Sequence, residues 1–160
     1  MEDIVVGIAD MKVAKGDQVL VTYALGSCVG ICIYDEVMAV GGMLHAMLPD
    51  SKRVEMVTNP DRYVDTGLKK LINCLCKAGA AKNRLKAKMV GGAKMFEYHT
   101  STGEPDIGTQ NVMAARRILQ SMGMPVLAEV TGGEIGRTIK FNPARGDVLI
   151  HTAKRKIQVI

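Results

Sequence analysis

Four cysteines, Cys28, Cys32, Cys74 and Cys76, and three histidines, His45, His99 and His151, are the residues here best suited to nucleophilic or proton-transfer chemistry near neutral pH. Two of them stand out by context. Cys28 follows a Gly-Ser pair in "LGSCVGICIYD", and His45 lies in "GGMLHAMLP". Thiolate is the reactive form of cysteine, and a neighbouring imidazolium stabilises it at neutral pH. Gly26 lets the chain turn tightly, and the backbone N–H groups around Ser27 and Cys28 could face a developing oxyanion. Spacing alone leaves a second reading open: Cys28 as a packing thiol, and His45 as a core histidine among Met43, Leu44, Met47 and Leu48.

The other candidates offer less. Cys74 and Cys76 lie two apart in a helical pattern and so point about 200° apart, which suits packing and not a shared metal. Cys28 and Cys32 share a face, but no second Cys/His pair at ligand spacing follows, so no metal or cofactor is expected. Ser27 lacks the second glycine of Gly-x-Ser-x-Gly, and "VGGAKM" lacks the Gly-Lys-Ser/Thr of a phosphate loop. His99, heading a polar loop, and His151, in the last hairpin region, have no sequence-near nucleophile and read as structural or exposed.

What must hold Cys28 against His45 is a hairpin. Val29, Ile31 and Ile33 alternate with Gly30, Cys32 and Tyr34, a strand period, and "VMAVGGMLHAML" returns after a turn at Asp35-Glu36. With that turn Cys28 falls opposite Met43, and His45 is its diagonal neighbour, with Cα atoms about 7 Å apart and an ion pair within reach. Gly41-Gly42 implies a bulge or a close backbone approach. "DIVVGIADMKVA" and "DQVLVTYAL" read as strands before the hairpin. Residues 50–60 read as a loop, and Asp61 as the N-cap of a helix to about Ala78 that Gly79 stops. "LKAKMVGGAKMF" reads as a strand, "YHTSTGEPD" as a loop, and residues 108–122 as a second helix. Three or four strands complete about nine. Two helices are too few for a doubly wound parallel sheet, so the expectation is an α+β fold: an α/β/β sandwich of mixed or antiparallel sheets with the helices on one side.

At 160 residues and 48% hydrophobic composition the chain suits one domain over 1–160. No apolar run approaches the roughly 18 to 20 residues of a membrane span. The opening "MEDIVVGIADMK" lacks a secretory pattern, so a cytoplasmic protein with free thiols and no membrane insertion is expected. The net charge of +5 is spread along the chain, and with no tryptophan and two phenylalanines there is little to stack on bases. Nucleic acid is not expected as a partner; solvated surface charge, or steering toward an acidic protein, is.

Together the segments "TYALGSCVGICIYD" and "GGMLHAMLP" resemble the signature of CheD, the chemoreceptor glutamine deamidase family of bacterial and archaeal chemotaxis. "VGGAKMF", Ile-Gly-x-x-Asn at 107–111 and Gly-Gly-x-x-Gly-Arg at 132–137 extend the resemblance over nearly the whole chain. It implies a cysteine hydrolase similar in fold to the catalytic domain of the cytotoxic necrotizing factors. The roles it implies are Cys28 as nucleophile, His45 as general base and Thr22 as the residue that orients the imidazole, with Gly26 and Ser27 supporting the oxyanion. The implied partners are methyl-accepting chemotaxis proteins as substrate and the CheC phosphatase as regulator. A related hydrolase acting on another amide or ester, or a domain that only docks on receptors or CheC with Cys28 inert, are the competing readings.

Overall fold

A computed structural model describes residues 3–95, 103–154 and 156–160. Among the described residues ten strands and two α-helices follow one another: β1 (Asp3–Val5), β2 (Asp10–Lys15), β3 (Val19–Leu25), β4 (Val29–Asp35), β5 (Val40–Ala46), α1 (Val64–Lys77), β6 (Lys86–Gly91), α2 (Ile107–Ser121), β7 (Val126–Thr131), β8 (Arg137–Asn142), β9 (Asp147–Thr152) and β10 (Ile157–Val159). They form two five-stranded sheets, β1-β3-β8-β9-β10 and β2-β5-β4-β6-β7. Each is mixed, because β1 runs parallel to β3 and β6 parallel to β7 while the other pairs are antiparallel. The α+β class, the layered sandwich and the two helices match the expectation from sequence.

The layers follow from side-chain alternation. Val29, Ile31 and Ile33 of β4 and Leu44 and Ala46 of β5 pack with Leu68, Leu71 and Leu75 of α1 and Val112, Ala115 and Leu119 of α2. The opposite faces of the same two strands, with Cys32, Tyr34 and Met43, meet Leu20, Ile139, Phe141, Val148 and Ile150 of the other sheet. Covered on both sides, β4 and β5 are buried along their whole length.

Several boundaries differ from the sequence reading. The first expected strand is two, β1 and β2, in different sheets, joined through a turn in which Ala9 takes a positive φ of 57°. Asp61 is not a helix N-cap: it is buried in a 3-10 turn at Pro60–Arg62, paired with Lys70 Nζ at 3.0 Å, and α1 starts at Val64. Residue 42 explains the Gly-Gly pair. The ladder runs through it without a bulge, and a Cβ there would stand 2.5 Å from Leu71 Cδ1, so the glycine allows α1 to lie against β5. β6 ends at Gly91: residues 92–95, expected to continue the strand, lie in none, and Phe96 and the part of the expected loop from Tyr98 to Thr102, with His99, lie outside the described residues.

Candidate active site

The β4–β5 hairpin turns through four residues, not two. Asp35 pairs with Val40, and the Asp35 carboxylate accepts from the N–H groups of Val37 and Met38, so the longer loop is held by its own first side chain. The register therefore sets Val29 opposite Ala46 and Gly30 opposite His45, and Cys28 does not face Met43. Because the slip is an even number of residues, no side chain changes face. Cys28 stands just before β4 and His45 remains its diagonal neighbour, approached from the other direction. Both belong to the side that faces the second sheet.

His45 is 1% exposed, and among the described residues its imidazole makes one hydrogen bond, between Nδ1 and Thr22 Oγ1 at 2.7 Å. The same hydroxyl donates to the Val6 carbonyl at 2.7 Å. Its single proton is thereby committed, so the oxygen accepts from Nδ1–H and the imidazole carries its proton on Nδ1. The lone pair is left on Nε2, a buried atom with no hydrogen-bond partner among the described residues. A bulge in β3 supplies this geometry. The register against β8 shifts between Thr22 and Leu25, and Ala24 takes a φ of 54°, so that Thr22 and Leu25, three apart, both turn inward.

Burial acts on both candidate groups. It pushes the His45 imidazole down to about 4 from 6.5, with the Asp10 carboxylate on β2 opposing as a lesser effect. It also raises the half-buried Cys28 thiol, with its own backbone N–H as the lesser, opposing influence. Both shifts favour an uncharged thiol beside an uncharged imidazole over the ion pair that spacing alone suggested. In this state the imidazole is neutral with Nε2 unprotonated, and Cys28, diagonally across the hairpin, keeps its thiol proton.

Gly26, Ser27 and Cys28 are half-buried, and their carbonyls are all engaged. Ala93 N–H donates to the Gly26 carbonyl and Gly92 N–H to that of Cys28, each at 2.9 Å. Asn111 Nδ2 donates to the Ser27 carbonyl at 2.9 Å. No described backbone carbonyl accepts from the N–H of Ser27 or Cys28. The neighbouring chain must come very close for this: a Cβ at Gly91 would lie 2.4 Å from the Cys28 oxygen, and φ there is 118°. Arg137 holds that segment from beneath, donating to the carbonyls of Gly91 at 3.2 Å and Gly132 at 2.9 Å.

The remaining candidates are placed apart from this centre. Cys32 is fully buried between the sheets, its thiol pushed well up by burial, and Cys74 and Cys76 lie on α1. His151 is exposed on β9. Among the described residues no group of three or more His, Cys, Asp or Glu side chains could hold a metal ion. Sequence reasoning missed Asn111, Gly91 and Arg137 as parts of the site. Their only signal was membership of the short blocks "VGGAKMF", Ile-Gly-x-x-Asn and Gly-Gly-x-x-Gly-Arg, which gave no hint that all three converge on one loop.

Comparison with known proteins adds an independent line. Residues 47–152 match a family model described as CheD chemotactic sensory transduction. A probable chemoreceptor glutamine deamidase CheD of Pyrococcus horikoshii is 49% identical over 148 residues, covering 92% of this chain and 91% of that protein. Proteins of the same description from Clostridium botulinum and Clostridium kluyveri are 43% and 42% identical, over 95% and 100% of this chain and 94% and 99% of theirs. The matched span of the family model begins just after His45.

Proposed function

The chain belongs to the CheD family, and from that membership together with the geometry around His45 we propose that it deamidates glutamine side chains of chemoreceptors through a cysteine thioester. The observation that carries this reading is the buried imidazole with its proton fixed on Nδ1 and a free Nε2, diagonally across the hairpin from a half-exposed cysteine. A merely structural buried histidine would have both nitrogens partnered.

The steps follow from acyl-transfer chemistry. As a glutamine carboxamide arrives, Cys28 Sγ attacks its carbonyl carbon while the thiol proton passes to His45 Nε2. The oxygen that becomes negative is held by the N–H groups of Ser27 and Cys28, with Gly26 shaping the turn that presents them. His45 returns the proton to the departing nitrogen, which leaves as ammonia, and a thioester joins glutamyl carbon to Cys28. Water, deprotonated by the same Nε2, releases glutamate and restores the thiol. Thr22 stays hydrogen-bonded to Nδ1 throughout and stabilises the transient imidazolium. The substrate is a side chain on another folded protein, so selectivity resides in the surface around Cys28. Regulation by a CheC phosphatase belongs to the same reading as a second partner.

The test is ammonia release, with the mass increase of glutamine to glutamate, from a glutamine-bearing receptor fragment. Cys28→Ala should reduce both to background. Undiminished release would sink the reading, and release by neither protein, with receptor binding intact, would favour a docking domain in which Cys28 is inert.

A further inference from the structure

Asn111 lies on α2, within the buried face that packs on the sheet, and is fully inaccessible to solvent. Its one nitrogen makes two hydrogen bonds of 2.9 Å, to the carbonyl of Ser27 and to the carbonyl of Met47. Ser27 immediately precedes Cys28, and Met47 lies two residues after His45. No pair of main-chain segments matters more to the reaction proposed above, and past the Val29–Ala46 pair the strand ladder no longer joins them. The amide orientation is fixed by its surroundings, since a flipped side chain would set its oxygen against two carbonyl oxygens.

The rest of the side chain argues that packing is not what calls for asparagine here. Oδ1 is buried with no partner among the described residues. An apolar residue of similar size would leave no orphan acceptor on α2. What such a residue could not supply is two donors from a single atom. α2 is also brought close enough to use them: a Cβ at Gly108 would lie 2.4 Å from the Ala93 carbonyl oxygen, and Ala93 N–H in turn holds the Gly26 carbonyl.

We propose that Asn111 is a positioning residue for deamidation, tying the carbonyls of Ser27 and Met47 to one nitrogen and thereby setting the separation of the Cys28 thiol from His45 Nε2. The inference rests on the assignment of Cys28 and His45 as nucleophile and base. Loss of the bridge leaves both reacting groups intact and lets their separation drift, so it acts on turnover and not on receptor docking, whose surface Asn111 does not reach.

Kinetics of the full-length protein on a receptor fragment test this, measured well below the melting midpoint of each variant. Asn111→Ala and Asn111→Ser should lower kcat by about 10- to 100-fold, the size expected for a misplaced reacting group, with KM within about threefold of wild type. Leu119→Ala, a buried position further along the same helix, should lower the melting midpoint and leave kcat within about threefold. A folded Asn111 variant with wild-type kcat, or a Leu119 variant with an equal loss, would overturn the proposal. If neither Asn111 variant folds, the wild-type protein still decides. Both Asn111 Nδ2 protons should exchange with solvent about 100-fold more slowly than those of the exposed Asn73 and Asn83 side chains, and equally fast exchange overturns the bridge. Cys28→Ala in the same assay separates the two ideas. If it retains activity the nucleophile assignment fails; if it is inert while the Asn111 variants turn over normally, only the positioning role fails.

Discussion

Asp35 and His45 stand at opposite ends of the β4–β5 hairpin and are equally inaccessible, 0% and 1% exposed, yet they are furnished in opposite ways. Asp35 is saturated. Its oxygens accept from the N–H groups of Val37, Met38 and Ala81 and from the Arg84 guanidinium, whose hydrogen bonds hold the carboxyl down to about 2. The His45 imidazole has one hydrogen-bond partner among the described residues and none at Nε2, and burial drives its shift against the lesser pull of Asp10. A buried polar group that serves stability alone gains by having its atoms partnered, whereas a general base needs a free atom for the proton it takes. The same two strands carry both kinds, a saturated one at the closed end and, in the proposed mechanism, the reactive one at the open end.

The contrast breaks if the two residues can exchange roles under mutation. His45→Ala should lower kcat by about 100-fold or more, the range for loss of a general base. It should move the melting midpoint comparatively little, because the hydroxyl it leaves behind still donates to Val6. Asp35→Ala should do the reverse. It strands the Ala81 N–H and the loop donors and should cost about 3 kcal/mol of stability, measured by denaturant unfolding, while the folded fraction keeps kcat within about threefold. A folded Asp35 variant with a catalytic defect, or a His45 variant as unstable as the Asp35 variant, would contradict the division.

Acid should separate the two ends next. The folded-state value of His45, about 4, lies below its ordinary 6.5, so the unfolded chain binds its proton first. Stability from this group is complete above about 6.5 and is lost as pH falls toward 4, by roughly 3 kcal/mol in all. Asp35, held to about 2 against an ordinary 3.8, contributes stability that is complete above about 4 and lost as pH falls toward 2. Unfolding free energy plotted against pH should therefore fall in two steps, and His45→Ala should remove the upper one alone. The acid limb of kcat/KM should sit near pH 4, where the free base on Nε2 becomes protonated. A limb near 6.5 would mean that His45 is solvated or ion-paired in solution.

Legibility in the sequence followed the range of the interactions involved. The period of two through Val29, Ile31 and Ile33, and the 3-and-4 spacing of Val64, Leu68, Leu71 and Leu75, are local, and they placed the hairpin and α1. The hairpin register was not legible, because it depends on the Asp35 carboxylate gathering a four-residue turn, and composition cannot distinguish that turn from a two-residue one. Nor was the Asp61 environment, since its pairing with Lys70 competes with the capping role its residue type favours. At the site, Cys28 and His45 could be brought together from strand geometry alone. Thr22 came only through resemblance, and Asn111 and Gly91 as parts of the site not at all. Thr22 acts from the other sheet, Asn111 from a helix and Gly91 from β6 on the far side of β4, and nothing in a single sequence reports which elements converge.

The smallest expected effect is the most specific test of the reactive end. Thr22→Val keeps the shape of the side chain and removes the hydroxyl that accepts from Nδ1–H and donates to Val6. Two buried groups lose a partner, at a cost of about 1 to 3 kcal/mol of stability. The catalytic consequence has a separate origin. With no acceptor at Nδ1, the proton is free to sit on Nε2, where the imidazole is no longer a base toward Cys28, and kcat should fall by about 10-fold while KM holds. Thr22→Ser retains the hydroxyl and should stay within about threefold of wild type. Nitrogen chemical shifts of the His45 ring read the tautomer directly: Nδ1–H in the wild type and the serine variant, a mixture in the valine variant. A valine variant that keeps the Nδ1–H form and full turnover would show that the bulge in β3 fixes the imidazole by packing, and that the hydroxyl contributes stability and no chemistry.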